Sequence, residues 1–227
     1  MEMPTALRRL IIRFNLYPDW RYWQVLRREV SEWEARGKEP PSPSLLKQKT
    51  VHGYAQRYGL TTLVETGTFL GAMVNASKDQ FTTIYSIELQ QDYFIRARRK
   101  FARFPHIHII QGDSASLLPG VLEQLHESAL FWLDAHYSGG LTAKAETETV
   151  VMQELHTIFS HAVKGHVVLI DDARCFDGTH DYPTLEAVER LAAANRYSMR
   201  VVDDVIRLVP SAPAGSDSRN VRSSDRS

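Results

Sequence analysis

Cysteine is almost absent: Cys175 is the only one in 227 residues, which rules out an internal disulfide and a cysteine-built metal cluster. Net charge is absent as well. Lys and Arg number 27, as do Asp and Glu, so no global field attracts a polyanion, and neither nucleic acid nor a membrane is an expected partner. Long apolar runs are missing too: stretches such as ALFWL, Ala129 to Leu133, fall far short of the roughly 20 residues that span a bilayer. No charged start leads into an apolar run of the signal-peptide kind, so the cytoplasm is the expected location. There is no internal repeat.

What is present, with 43% hydrophobic residues, suffices for a substantial core in one globular domain with an accessory segment. From Asp19 onward, Trp20, Trp23, Val25, Leu26, Val30 and Trp33 recur at helical spacing. EPPSP, Glu39 to Pro43, breaks that helix, and a second is expected from Leu45 to Tyr58, stopped by Gly59. Residues 1–60 thus read as a helical extension, whose aromatics Tyr17, Trp20, Tyr22 and Trp23 pack in the core, roof a pocket or form a homodimer contact. From Thr61 the texture changes. TLVE, IYSIEL, IHIIQ, LFWLD and HVVLID alternate with amphipathic stretches beginning near Gly71, Gln90, Ser114, Thr147 and Pro183. Nearly continuous apolar runs of this kind are strands buried on both faces, linked by crossover helices. SMRVV and VIRLV, separated only by Asp203 and Asp204, read as a hairpin. The expectation for 61–210 is a Rossmann-like, doubly wound α/β domain with a mostly parallel sheet and a C-terminal antiparallel hairpin. The polar tail 211–227 is expected to be disordered.

In such a sheet, ligands bind beyond the carboxyl ends of the strands. Each of the first five strands ends in a carboxylate: Glu65, Glu88, Asp113 in GDS, Asp134, and the pair Asp171-Asp172. After Glu65 comes Thr66-Gly67-Thr68-Phe69-Leu70-Gly71. Gly67 permits a tight turn there, and Gly71 permits close helix packing. Backbone amides at the start of the next helix can then face a ligand. Glu88 stands where a carboxylate can accept hydrogen bonds from both ribose hydroxyls of a nucleoside, or serve as a carboxylate at the start of its helix. Asp113 suits two roles, helix cap or acceptor for an adenine amino group.

In its E-x-G-x-x-x-G loop, acidic second-strand end and GD(S), the set resembles the class I S-adenosylmethionine-dependent methyltransferases over about Thr61 to Val209. The metal-dependent O-methyltransferases of catechol, caffeoyl-coenzyme A and macrolide or aminocoumarin sugar type look most similar, because their first loop commonly carries an aromatic where this chain has Phe69. The resemblance implies S-adenosylmethionine as cofactor, with S-adenosylhomocysteine as product. It implies contacts from Glu65, Thr66, Gly67, Thr68, Phe69 and Gly71, then from Glu88 and Leu89, and then from Gly112, Asp113, Ser114 and Asp134. It further implies a metal held by Asp134, Asp171 and Asp172.

Chemistry points the same way. Three converging carboxylates repel one another, and a divalent cation relieves this; all-oxygen ligation selects Mg²⁺, with Mn²⁺ or Ca²⁺ as alternatives. A metal-free alternative has Asp172 capping the next turn and Asp171 pairing with Arg174. His136, two residues after Asp134, is the first choice of general base, since imidazole titrates near neutrality, and His180 is the second. Gly139 and Gly140 give the intervening loop the freedom a substrate lid needs. The expected activity is O-methylation of a small-molecule acceptor such as a sugar, phenol or natural-product intermediate. The rivals are a metal-independent N-, O- or C-methyltransferase and a non-catalytic nucleoside-binding module. A dinucleotide oxidoreductase fits less well, because Phe69 interrupts G-x-G-x-x-G and no Tyr-x-x-x-Lys is present.

Overall fold

The computed structural model describes residues 19–134, 150–179 and 182–211, with side chains from Gln24 onward. Two helices lead the described residues, α1 (Asp19–Ala35) and α2 (Ser44–Tyr58). In α1 the expected spacing buries Leu26 and Trp33, and the Trp33 indole N–H donates to the Glu39 carbonyl at 2.8 Å. Pro43, extended at φ −62° and ψ 147°, precedes α2, where a missing N–H costs nothing. Gly59 ends α2 in the left-handed conformation, its N–H returning to the Ala55 and Gln56 carbonyls.

The strands are β1 (Thr62–Thr66), β2 (Thr83–Glu88), β3 (Ile107–Gln111), β4 (Leu130–Leu133), β5 (Val167–Ile170), β6 (Tyr197–Val202) and β7 (Val205–Pro210). Between them run α3 (Ala72–Ser77), α4 (Gln91–Phe101), α5 (Ser114–Leu122), α6 (Val150–Ser160) and α7 (Leu185–Ala194). The sheet order is β3-β2-β1-β4-β5-β7-β6. β1 to β5 pair in parallel, and β7 is antiparallel to both β5 and β6. The expected mixed sheet and its hairpin are present. Asp203 and Asp204 both take left-handed φ, 52° and 62°, as a two-residue turn of the tightly twisted kind requires.

Alternation along the strands builds two cores. Val64, Phe131, Leu133, Val168 and Ile170 face α5, α6 and α7 through Leu118, Leu155 and Val188. Leu63, Leu130, Trp132, Val167 and Leu169 face the other way, toward Val51 of α2, Val74 of α3 and Ala97 of α4. Helix α2 is therefore a layer of the sheet's own core, which anchors its polar face relative to the strand ends. The order reverses between β1 and β4, so the crevice for a ligand opens beyond Thr66 and Leu133.

Candidate active site

The carboxyl end of β1 carries the first half of the site. Gly67 has φ 89°, and a Cβ there would lie 2.9 Å from Cβ of Asp134, so only glycine lets the loop pass that close to β4. Gly71 has φ 65°, and its absent Cβ leaves room for the buried Phe101 ring, which would otherwise stand 2.6 Å away. Between them Phe69 also takes a left-handed φ of 48°. The loop thus keeps a glycine-like conformation at a phenylalanine, a strain of order 1 kcal/mol. Phe69 is 38% exposed and its ring meets Tyr93 edge-on at 4.8 Å, while Leu89 just past the end of β2 is 46% exposed. Two large apolar side chains therefore flank Glu88 in the open.

Glu88 itself is buried and organises both loops: the Phe69 N–H donates to its Oε2 at 2.6 Å and the Gln90 N–H to its Oε1 at 2.8 Å. Each oxygen keeps a second lone pair for a ligand. Asp113 does cap its helix, its Oδ2 accepting from the Ser116 N–H at 3.1 Å and from the Ser116 hydroxyl at 2.6 Å. Glu65 is more enclosed than the other strand-end carboxylates of this half. Sequence position suggests a carboxylate offered to the ligand, but the residue is 2% exposed, and burial pushes its pKa from 4.5 to about 8. The Ser86 hydroxyl, which donates to Glu65 and bonds Thr68 Oγ1 at 2.6 Å, opposes that rise, and the nearby Asp134 and Glu88 reinforce it.

The ends of β4 and β5 carry the second half. Asp134, Asp171 and Asp172 each offer an oxygen, all within 4.8 Å of one another. Carboxylate oxygens around a hard cation bind at about 2.0–2.6 Å, so oxygens on opposite sides of it stand about 4–5 Å apart, and the set fits Mg²⁺ or Ca²⁺ in donor type and spacing. Two cationic side chains already serve it. The Lys47 Nζ of α2 lies 2.6 Å from Asp171 Oδ2 and 3.6 Å from Asp172 Oδ1, and Arg174 Nη1 donates to Asp172 Oδ1 at 2.7 Å. The metal-free pairing expected from sequence is thereby corrected: Arg174 belongs to Asp172 and Lys47 to Asp171. Asp172, in the left-handed region at φ 57°, makes no side-chain cap to the short turn that follows, because its carboxylate is turned toward Arg174. Arg174 also pairs with Asp204 of the hairpin, whose Oδ1 accepts the Arg174 backbone N–H at 2.8 Å. Burial raises the Asp171 pKa from 3.8 to about 6; Lys47 opposes the rise, and Asp172 and Asp134 add to it. A cleft of about 340 Å³ opens beside Arg174, with Trp33, Lys38, Leu185 and Asp204 in its lining.

Three contributors escaped sequence reading. Lys47 lies 124 positions from its partner, and nothing local distinguishes it from Lys49. Lys100 holds the first loop from below, its ammonium donating to the Leu70 carbonyl at 3.1 Å and the Gly71 carbonyl at 3.4 Å. Glu154 of α6 is 3% exposed, with its pKa pushed from 4.5 to about 7 by burial and held back by hydrogen bonds from Ser114 and Thr66. For Glu154 a signal existed: it falls on the apolar stripe of Val151, Leu155 and Ile158. His136, His180, Gly139 and Gly140 lie outside the described residues, as do Tyr17, the side chains of Trp20, Tyr22 and Trp23, and the tail 212–227. No helix among the described residues is long and apolar enough to cross a membrane.

The strand order, with the antiparallel β7 between β5 and β6, is a Rossmann-like α/β fold that this chain shares with solved methyltransferases. Solved structures similar to this chain include a methyltransferase from Geobacter sulfurreducens (14% identity, 79% of this chain and 86% of that chain, TM-score 0.54). TomG from Streptomyces achromogenes, an O-methyltransferase involved in tomaymycin synthesis and solved with S-adenosylmethionine, is similar at 14% identity over 82% of this chain and 89% of that chain, TM-score 0.52. An O-methyltransferase from Bacillus cereus in complex with S-adenosylhomocysteine covers 90% of this chain and 97% of its own, at 15% identity and TM-score 0.51. No protein-family model matches the sequence, and no curated protein does.

Proposed function

We propose that the chain is an S-adenosylmethionine-dependent methyltransferase that methylates a hydroxyl of a small molecule, a sugar, phenol or natural-product intermediate, with a divalent cation, Mg²⁺ before Mn²⁺ or Ca²⁺. One observation carries this reading: Asp134 belongs to both halves of the site, packing against Gly67 of the cofactor loop while supplying an oxygen to the acidic cluster. A cofactor held by the loop and a cation held by the cluster would therefore be neighbours, with the acceptor between them.

Glu88 would receive the ribose hydroxyls on lone pairs left by its two amide donors, and those donors fix its orientation beforehand. Phe69 and Leu89 would supply apolar contact around the nucleoside. Asp134, Asp171 and Asp172 would hold the cation, which when bound lowers the pKa of a coordinated hydroxyl. His136, on its position two residues after Asp134, is the proposed base that takes the acceptor's proton, with His180 second.

The test follows S-adenosylhomocysteine release from S-adenosylmethionine over a panel of phenols and sugars, with EDTA and after Mg²⁺ is restored. Activity lost in EDTA and recovered with Mg²⁺ supports the reading, whereas undiminished turnover in EDTA removes the metal from it. Calorimetry with S-adenosylhomocysteine against NAD checks the cofactor independently. A second reading, a metal-independent methyltransferase, draws on the Lys47 ammonium already seated against Asp171 and Asp172.

A further inference from the structure

We infer that Lys47 is an internal counter-cation that competes with a divalent metal for the same carboxylates, so that metal binding requires the Lys47 side chain to withdraw and is sensed by helix α2. This inference rests on the proposed metal site and goes beyond it, since it assigns a role to the N-terminal helical layer.

The geometry makes the two cations exclusive. An ammonium 2.6 Å from Asp171 Oδ2 and 3.6 Å from Asp172 Oδ1 sits among the oxygens a bound ion would share, and Lys47 also feels the charge of Asp134. A protonated amine has no lone pair, so it cannot become a ligand of the ion that replaces it. It must move away, because a divalent ion beside an ammonium at so short a range is repelled in this half-buried place.

The side chain can move without unfolding its helix. Lys47 has a flexible four-carbon stem, is 16% exposed, and stands in the first turn of α2, while the anchors Leu45, Val51 and Ala55 keep the helix on the core. Arg174 differs. It is braced by Asp172, by Asp204 and by its own backbone N–H on Asp204, so it stays when the lysine leaves. The cluster therefore has one fixed cation and one exchangeable position. With Lys47 in place, its charge offsets part of the repulsion among the carboxylates in the metal-free chain; without it that repulsion stands until an ion binds.

The experiment titrates Mn²⁺ into wild type, Lys47→Met and Lys47→Arg, reading free Mn²⁺ by electron paramagnetic resonance, with Asp171→Asn as the control for binding elsewhere. Lys47→Met keeps the apolar stem and removes the competitor, so it is expected to bind Mn²⁺ about tenfold tighter than wild type, or about 1.4 kcal/mol. Lys47→Arg, which restores a cation, is expected to bind no tighter than wild type. In parallel, Lys47→Met should melt lower than wild type in EDTA and gain more from Mn²⁺. Hydrogen exchange at the start of α2 should rise when wild type takes up the metal. If wild type binds Mn²⁺ and Lys47→Met binds no tighter, the competition is overturned while the metal site stands. If no variant binds Mn²⁺, or Asp171→Asn binds as well as wild type, the metal reading falls and the inference falls with it. Should Lys47→Met not fold in EDTA, the Lys47→Arg comparison and the exchange measurement on wild type still decide.

Discussion

Glu88 and Asp113 close the strands on one side of the crevice as Asp134, Asp171 and Asp172 close them on the other, yet the two groups are satisfied differently. On the β2 and β3 side the partners are neutral: amides of Phe69 and Gln90 for Glu88, and the amide and hydroxyl of Ser116 for Asp113. On the β4 and β5 side they are cationic, Lys47 from α2 and Arg174 braced by the hairpin. Fixed backbone donors make a cradle that is ready before a ligand arrives. A cluster of three carboxylates is strained by its own charge, and its state depends on which cation sits there. The contrast suggests a division of labour, with binding on one side and chemistry on the other.

Asp171→Asn should separate the halves most sharply. Methyl transfer is expected to fall by roughly 10²- to 10³-fold, the usual cost of losing one positioned charge-stabilising group, while calorimetry with S-adenosylhomocysteine shows little change. Equal losses in both would break the division. Glu88→Ala is the converse, expected to weaken S-adenosylhomocysteine binding about 100-fold, near 2.7 kcal/mol, since a charged acceptor of several hydrogen bonds is lost; Mn²⁺ binding should hold. Gly67→Ala should damage both halves together, because its new methyl strikes Asp134 from a strained backbone. A loss of about 1–3 kcal/mol in thermal denaturation is expected, and a stability unchanged from wild type would place the loop farther from β4.

The smallest effect concerns pH. Glu65 and Glu154 have folded pKa values of about 8 and about 7, both above the ordinary 4.5. A group whose folded pKa is raised contributes stability that is complete below its unfolded pKa and is lost as pH rises through the folded one. Between about pH 4.5 and 8 the metal-free chain should therefore lose stability as pH rises, at no more than about 1.4 kcal/mol per pH unit per group. Glu65→Gln should flatten that slope in denaturant titrations. A slope identical to wild type would show that Glu65 is ionised in the fold.

Much of this was legible in sequence because it is local. Five apolar runs, each closed by an acidic residue, gave the parallel strands and the face where ligands bind, and the Asp203-Asp204 pair gave the hairpin. Phe69 was legible as an aromatic in a glycine's place, though not as a residue holding a left-handed backbone. The acidic cluster's partners were not legible. A lysine on a helix with weak amphipathic character can face any way, and only the packing of Val51 and Ala55 against the sheet turns Lys47 toward Asp171. Arg174 was assigned to the wrong aspartate because proximity in the chain says nothing of Asp204, 30 positions on. The burial of Glu65 was hidden for a related reason, since a strand-end position does not disclose it.

The placing of β7 between β5 and β6 has a consequence for biosynthesis. Until Val205 to Pro210 has left the ribosome, the outer edge of β5 has no neighbour, and the turn carrying Arg174 lacks the Asp204 that pins it. The nucleoside side, made from residues up to Ser116 with Asp134 behind Gly67, can assemble on a nascent chain, but the Arg174 of the acidic cluster gains its Asp204 brace only when the last strand threads in. A ribosome-stalled chain ending before Val205 should thus be able to form the nucleoside half of the site and no finished reaction centre.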